Sequence, residues 1–316
     1  MNGARREAPP ESIDAIVERI GSGPGLHTLT VAEARATSLA RRALLRRPRD
    51  YVRAVRGVTV PVRGGQLRAR LYAPRGGAPV LLYLHGGGWV LGDLESADAL
   101  CRSLASDSGC AVLSLDYPLA PENRFPAAAE AAHAAAGWLA SHGRDIGVRA
   151  EGIAVGGDSA GANLAAAVAL MARDRGAPDL RFQLLLFPPT DGAAALGAAA
   201  APPVPERSTP LLSREEMDWF WRHYLGRGGD ATDPYASPLR ADVRGVAPAL
   251  IVTAELDVLR EEGDAYAAKL RAAGVRVEHR CYAGMPHGFL GLAGELSSAA
   301  DAIRDIAAAL RTALVS

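Results

Sequence analysis

The stretch IAVGGDSAGANLAAAVALMAR, residues 153–173, changes character at a single serine. Before Ser159 it is short and apolar, as a buried strand is; from Ala160 it is rich in alanine and leucine, with strong helix propensity. At the join, Gly157-Asp158-Ser159-Ala160-Gly161 has the G-x-S-x-G form of a nucleophile elbow. Such a turn holds its serine in a strained backbone conformation and leaves no room for side chains two positions away on either side. The helix that follows points its amide dipoles at whatever negative charge develops beside the serine. Alone, the pattern also describes an ordinary glycine-rich connection, so its reading depends on partners.

The first partner lies upstream in LLYLHGGGW, residues 81–89, where an apolar run ends at His85 and Gly86, Gly87 and Gly88 follow. Glycines in this position let backbone N–H groups approach a developing oxyanion. A dinucleotide loop would need GxGxxG, and the next glycine after Gly88 is Gly92. The second partner is a base. Of seven histidines, His287 in YAGMPHGF follows the apolar run VRVEHRCY, which would deliver it to a loop at a strand end. Between serine and histidine, ALIVTAELDVLREEG supplies Asp257, with Glu255 as the nearest competitor. Glu261 and Glu262 read as a solvated first helical turn. The chain order serine, acid, histidine suits a hydroxyl activated by an imidazole that a carboxylate orients.

Around these motifs, apolar runs at residues 80, 111, 153, 184, 249 and 275 alternate with helical patterns. This predicts an α/β fold with a mostly parallel sheet covered on both faces. GVTVPV and LRARLYAP, around an RGG turn, read as a β-hairpin that opens the main domain. Residues 1–55 read as an N-terminal helical cap segment and 56–316 as the catalytic domain, with a cap insertion at about 188–229. Two capping boxes, Thr30 with Glu33 and Ser213 with Glu216, mark helix starts in these cap segments. Trp89, Phe289 and the aromatics from Trp219 to Tyr224 are candidates to line an apolar substrate pocket, and the same residues could instead pack the lid.

Composition narrows the partners. The formal charges of the 316 residues cancel, so no basic footprint for nucleic acid or anionic membrane exists. Lys269 is the sole lysine and no P-loop surrounds it. Three cysteines, Cys101, Cys110 and Cys281, cannot all pair and form no CxxC, and the charged start carries no apolar signal core. With no run as long as a membrane span, a cytoplasmic protein without stable membrane insertion is expected.

Taken in order, HGGGW, LDYPLAPENRFPAA, GDSAG, ELDVLREEG and MPHGF closely resemble the hormone-sensitive-lipase-like branch of the α/β-hydrolases, the bacterial family IV esterases. The resemblance implies an eight-stranded, mainly parallel sheet with a helical cap. It also implies hydrolysis of short- to medium-chain acyl esters without cofactor or metal. Position by position, Ser159 would be the nucleophile, His287 the general base and acid, and Asp257 the orienting carboxylate. Gly86, Gly87 and the Ala160 amide would form the oxyanion hole. Members are often homodimers, and no patch in the linear sequence decides that for this chain. Pro118 departs from the arginine more usual there, with an altered contact near the glycine loop as the expected result. The same triad serves amide or formamide hydrolysis, dehydration and acyl transfer on this fold. A non-catalytic ligand-binding member is the remaining alternative.

Overall fold

The computed structural model describes residues 12–45, 50–197 and 211–315. Among them, eight strands run in chain order as β1 (Ala54–Val62), β2 (Gly65–Ala73), β3 (Ala78–Leu84), β4 (Ala111–Leu115), β5 (Val148–Asp158), β6 (Leu180–Leu186), β7 (Ala249–Leu256) and β8 (Val277–Pro286). They form one sheet in the order β1-β2-β4-β3-β5-β6-β7-β8. The expected hairpin is β1 with β2, and β2 pairs antiparallel with β4 as well. Every other neighbouring pair is parallel.

Nine helices accompany the strands among the described residues. They are α1 (Ile13–Gly21), α2 (Val31–Ala43), α3 (Asp98–Ser108), α4 (Ala127–His142), α5 (Ala160–Arg175), α6 (Gly192–Gly197), α7 (Arg214–Leu225), α8 (Arg260–Ala272) and α9 (Ser297–Val315). None is long and apolar enough to cross a membrane.

A sheet covered on both faces needs apolar residues at every position of its central strands. β3, APVLLYL, is buried throughout. Its Val80, Leu82 and Leu84 join the core that holds α4, α5 and α8, while Leu81 and Tyr83 join the opposite core with α3 and α9. α5 is buried continuously from Ala160 to Ala172. Alanine on nearly every face lets this helix sit close to both the sheet and α4, which brings its N-terminus to the end of β5.

The N-terminal helices form a cap, which packs through Ile16, Ile20 and Ala34 and is tied across by polar side chains. The Thr30 and Ser213 capping boxes are both present. Glu216 does more than cap: its Oε1 also accepts the Leu26 N–H at 2.9 Å, joining α7 to the N-terminal segment. From α2, Arg35 donates to Val90 O at 3.0 Å, Ala120 O at 3.1 Å and the Glu122 carboxylate. Parts of the expected cap, residues 1–11, 46–49 and 198–210, lie outside the described residues.

α8 begins at Arg260, so Glu261 and Glu262 fall in its first turn, as the sequence reading places them. The start is set locally: Asp257 Oδ1 accepts the Leu259 N–H at 2.9 Å and its carbonyl accepts the Arg260 N–H at 3.1 Å, which turns the chain into the helix. Glu261 is exposed, whereas Glu262 turns its carboxylate inward, contrary to the solvated turn expected from sequence.

Candidate active site

Ser159 stands between the last residue of β5 and the first of α5, at φ 53° and ψ −122°. A Cβ on Gly157 or on Gly161 would collide with the carbonyl oxygen of Leu84 at the end of β3, so both positions require glycine. The strained turn is held by the Ser159 N–H donating to Leu186 O of β6 at 2.8 Å. Three strands therefore fix one hydroxyl.

His287 follows directly on β8, and its Nε2 lies 3.0 Å from Ser159 Oγ. Its Nδ1 lies 2.7 Å from Asp257 Oδ2. An Asp257 carboxylate can only accept, so the proton of this pair belongs on Nδ1 and Nε2 is left as an acceptor for the serine hydroxyl. The Asp257 side chain is sealed from solvent and that of His287 is 12% exposed, so solvent screens this pair little. The competitor Glu255 is engaged elsewhere, its Oε2 accepting the Gly284 N–H at 2.7 Å.

The glycine loop runs past the serine. Gly87 and Gly88 adopt φ of 123° and 59°, and a Cβ on either would strike Leu91 O or the Phe220 ring. His85 is buried, stacked on Tyr117 with centroids 4.3 Å apart, and Tyr117 donates to His85 O at 2.7 Å. Burial pushes the His85 pKa down, which favours a neutral ring.

A family model described as the α/β-hydrolase fold matches residues 81–291. The chain belongs to that family. Its resemblance to the hormone-sensitive-lipase-like branch is borne out by its relatives. It is 43% identical over 269 residues to the carboxylic ester hydrolase LipN of Mycobacterium tuberculosis, covering 82% of this chain and 70% of that protein. It is 36% identical over 296 residues to the ethyl acetate hydrolase of Pseudomonas putida, covering 90% and 91%. Among solved structures, a thermostable esterase from Pseudomonas putida superposes with a TM-score of 0.87 at 36% identity, covering 98% of this chain and 99% of that one.

Within this α/β-hydrolase frame, the expected oxyanion donors are not all available. The Gly86 N–H donates to Asp158 Oδ1 at 2.9 Å, and a backbone N–H has only one proton to give. This corrects the place expected for Gly86. The same Oδ1 accepts from Tyr83 at 2.6 Å, and burial together with Asp158 raises the Tyr83 pKa well above the usual value, so the phenol stays a donor. Tyr83, Asp158 and Gly86 thus form a clamp beneath the loop that sequence reasoning missed, because Tyr83 reads only as one more strand residue.

Tyr83→Phe tests the clamp. A hydrogen bond to a charged group is worth about 1.5–3 kcal/mol. We expect kcat on a nitrophenyl ester to fall about tenfold with KM within about twofold. Unchanged kcat would show that the loop holds its position without the clamp.

The aromatics expected as pocket walls sit elsewhere. Trp89 is buried, stacked on Tyr224 at 4.4 Å and tilted against Trp221. Trp219 rests on Phe220 and His223. Phe289 is buried between Phe187 and Tyr282. None of the three lines the two cavities that flank the triad. Phe187 does, and its ring also meets the His287 imidazole edge-on at 5.2 Å. At Pro118 no guanidinium is present, yet one does bridge the glycine loop and the segment after β4; it is the Arg35 group on α2. Among the described residues, no three His, Cys, Asp or Glu side chains converge where a metal ion could be held.

The inward Glu262 has a measurable consequence. Its Oε2 accepts the N–H groups of Thr190 at 2.6 Å and Asp191 at 2.9 Å. Burial, with Asp191 and Asp257 nearby, raises its pKa from 4.5 to about 7. The folded chain then holds this proton more tightly than the unfolded one, so stability falls as pH rises from about 4.5 to 7. The full effect is on the order of 3 kcal/mol at most. Glu262→Gln keeps a carbonyl oxygen for both amides. We expect the variant and parent to unfold alike near pH 4.5 and the variant to be the more stable at pH 8, as read by Tm. A parent at least as stable as the variant at pH 8 would contradict the assignment.

Proposed function

We propose that this chain is a serine carboxylic ester hydrolase acting on short- to medium-chain acyl esters. The observation that carries the reading is the unbroken chain from Ser159 Oγ through His287 to the sealed Asp257. In the proposed mechanism, Ser159 attacks the ester carbonyl as His287 Nε2 takes its proton, and Asp257 stabilises the imidazolium that forms. His287 then protonates the leaving alcohol, giving an acyl-enzyme. Water, activated by the same imidazole, releases the acid and restores the serine.

The oxyanion is assigned to the amides of Ala160, Gly87 and Gly88. Ala160 is the first residue of α5, where the dipole favours negative charge, and Gly86 is committed to Asp158. The proposed organisation keeps residues 56–316 as the catalytic domain under a cap from residues 1–55 and about 188–229. Ser38 on α2 and Ser213 at the start of α7, which both line the larger cavity, support it. Three free thiols, Cys101 and Cys110 buried and Cys281 exposed, support a reducing cytoplasm. Homodimerisation, frequent in the family, belongs to the same proposal.

A fluorophosphonate probe tests the reading, since only an activated serine reacts with it. Stoichiometric labelling of Ser159, located by peptide mass spectrometry, together with hydrolysis of nitrophenyl butyrate, is expected. A chain that is folded but neither labelled nor active would be a binding protein on the same fold.

A further inference from the structure

Two cavities flank the triad, and their walls say which part of an ester each receives. The leaving alcohol takes its proton from His287 Nε2, so it must lie on the His287 side. There the larger cavity opens, about 610 Å³, with His287 and Gly288 as its floor and cap residues such as Leu26 and Glu216 as its walls. With the carbonyl oxygen turned to the Gly87 and Ala160 amides, the acyl chain is left pointing along Gly86, Asp158 and Phe187. Those residues bound the smaller cavity, about 250 Å³, which Leu100 and Ile303 also line.

Five residues line both spaces: Ser38, Arg42, Leu45, Gly288 and Gly291. Two have no side chain and Ser38 has a short one. Arg42 is the longest, is only 19% exposed, and is gripped at its far end by Asp93, which lines neither cavity, its Nη1 and Nη2 donating to Asp93 Oδ1 and Oδ2 at 2.9 and 3.3 Å. Asp93 is itself fixed, accepting the Ser96 N–H at 2.7 Å while its own N–H donates to Ser96 Oγ at 3.0 Å. A guanidinium held by a bidentate pair is a rigid group.

We propose that Arg42, pinned to Asp93, is the partition between the acyl and alcohol cavities, and that it selects esters of a small acyl group on a bulky alcohol. The assignment rests on the ester-hydrolase reading. Arg42 touches no reacting atom; it acts by closing the space into which a longer acyl chain would extend.

The test is a series of nitrophenyl esters from acetate to decanoate, measured as kcat/KM for the parent, Arg42→Ala and Asp93→Asn. Each methylene newly buried is worth about fourfold. Removing the partition should therefore raise the octanoate-to-butyrate ratio at least about tenfold. Asp93→Asn keeps Arg42 but loosens its grip, and should raise the ratio by a smaller factor, about threefold. In the parent, butyrate esters of cyclohexylmethanol, an alcohol of similar leaving ability, should be cleaved with higher kcat/KM than butyrate esters of methanol. A parent inactive on every ester defeats the ester-hydrolase reading. An active parent whose ratio stays within twofold in both variants defeats the partition alone.

Discussion

Ser159→Ala is expected to lower kcat about 10⁶-fold on nitrophenyl butyrate, the scale set by removing the nucleophile of a serine triad. The loss corresponds to about 8 kcal/mol of barrier. It should fall almost entirely on kcat, because the hydroxyl makes its decisive interaction only as it bonds to the carbonyl carbon, and both cavities remain. The backbone is strained with either residue at φ 53°, so the fold gains and loses little. Tm should stay within about 2 °C of the parent. Some catalysis over water, on the order of 10³-fold, should survive from the oxyanion donors. Activity above a thousandth of the parent's in a preparation free of wild-type enzyme would remove Ser159 from its role.

Asp257→Asn should lower kcat about 10⁴-fold. Oδ1 accepts the Leu259 N–H that starts α8, and an asparagine carbonyl can keep that bond while its NH₂ replaces Oδ2 opposite His287 Nδ1. That NH₂ is a donor. It forces the imidazole to carry its proton on Nε2, where it can no longer accept from Ser159. The variant therefore separates tautomer control from scaffolding: the fold, the α8 start and KM should be preserved while turnover collapses. Glu255 cannot substitute, since its carboxylate holds the Gly284 N–H on the neighbouring strand. A loss of less than tenfold would mean that His287 is oriented by something other than Asp257.

Much of the molecule could be read from its linear order because the deciding forces act locally. The stretches 80–84, 153–157 and 249–252 are buried throughout, as strand segments with two covered faces must be, and all of them lie in the central sheet. Gly157 and Gly161 announce the elbow because a side chain at either would occupy the place of Leu84 O. Strand ends in a parallel sheet all open on one edge, so a serine, an acid and a histidine following β5, β7 and β8 meet there although 128 residues separate Ser159 from His287.

What the linear order could not determine is how residues far apart spend their hydrogen bonds and their volume. Gly86 looks like any other glycine of its loop until Asp158, 72 positions away, takes its N–H. Glu262 looks solvated until the Thr190 and Asp191 amides close on it. Trp89 and Trp219 look like pocket walls until Tyr224 and Trp221 pack on the first and Phe220 meets the second edge-on. Backbone conformation and strand burial follow from neighbours in the chain. Donor allocation, side-chain packing and the shape of the space beside Arg42 exist only once separate elements are brought together, so tertiary structure alone decided them.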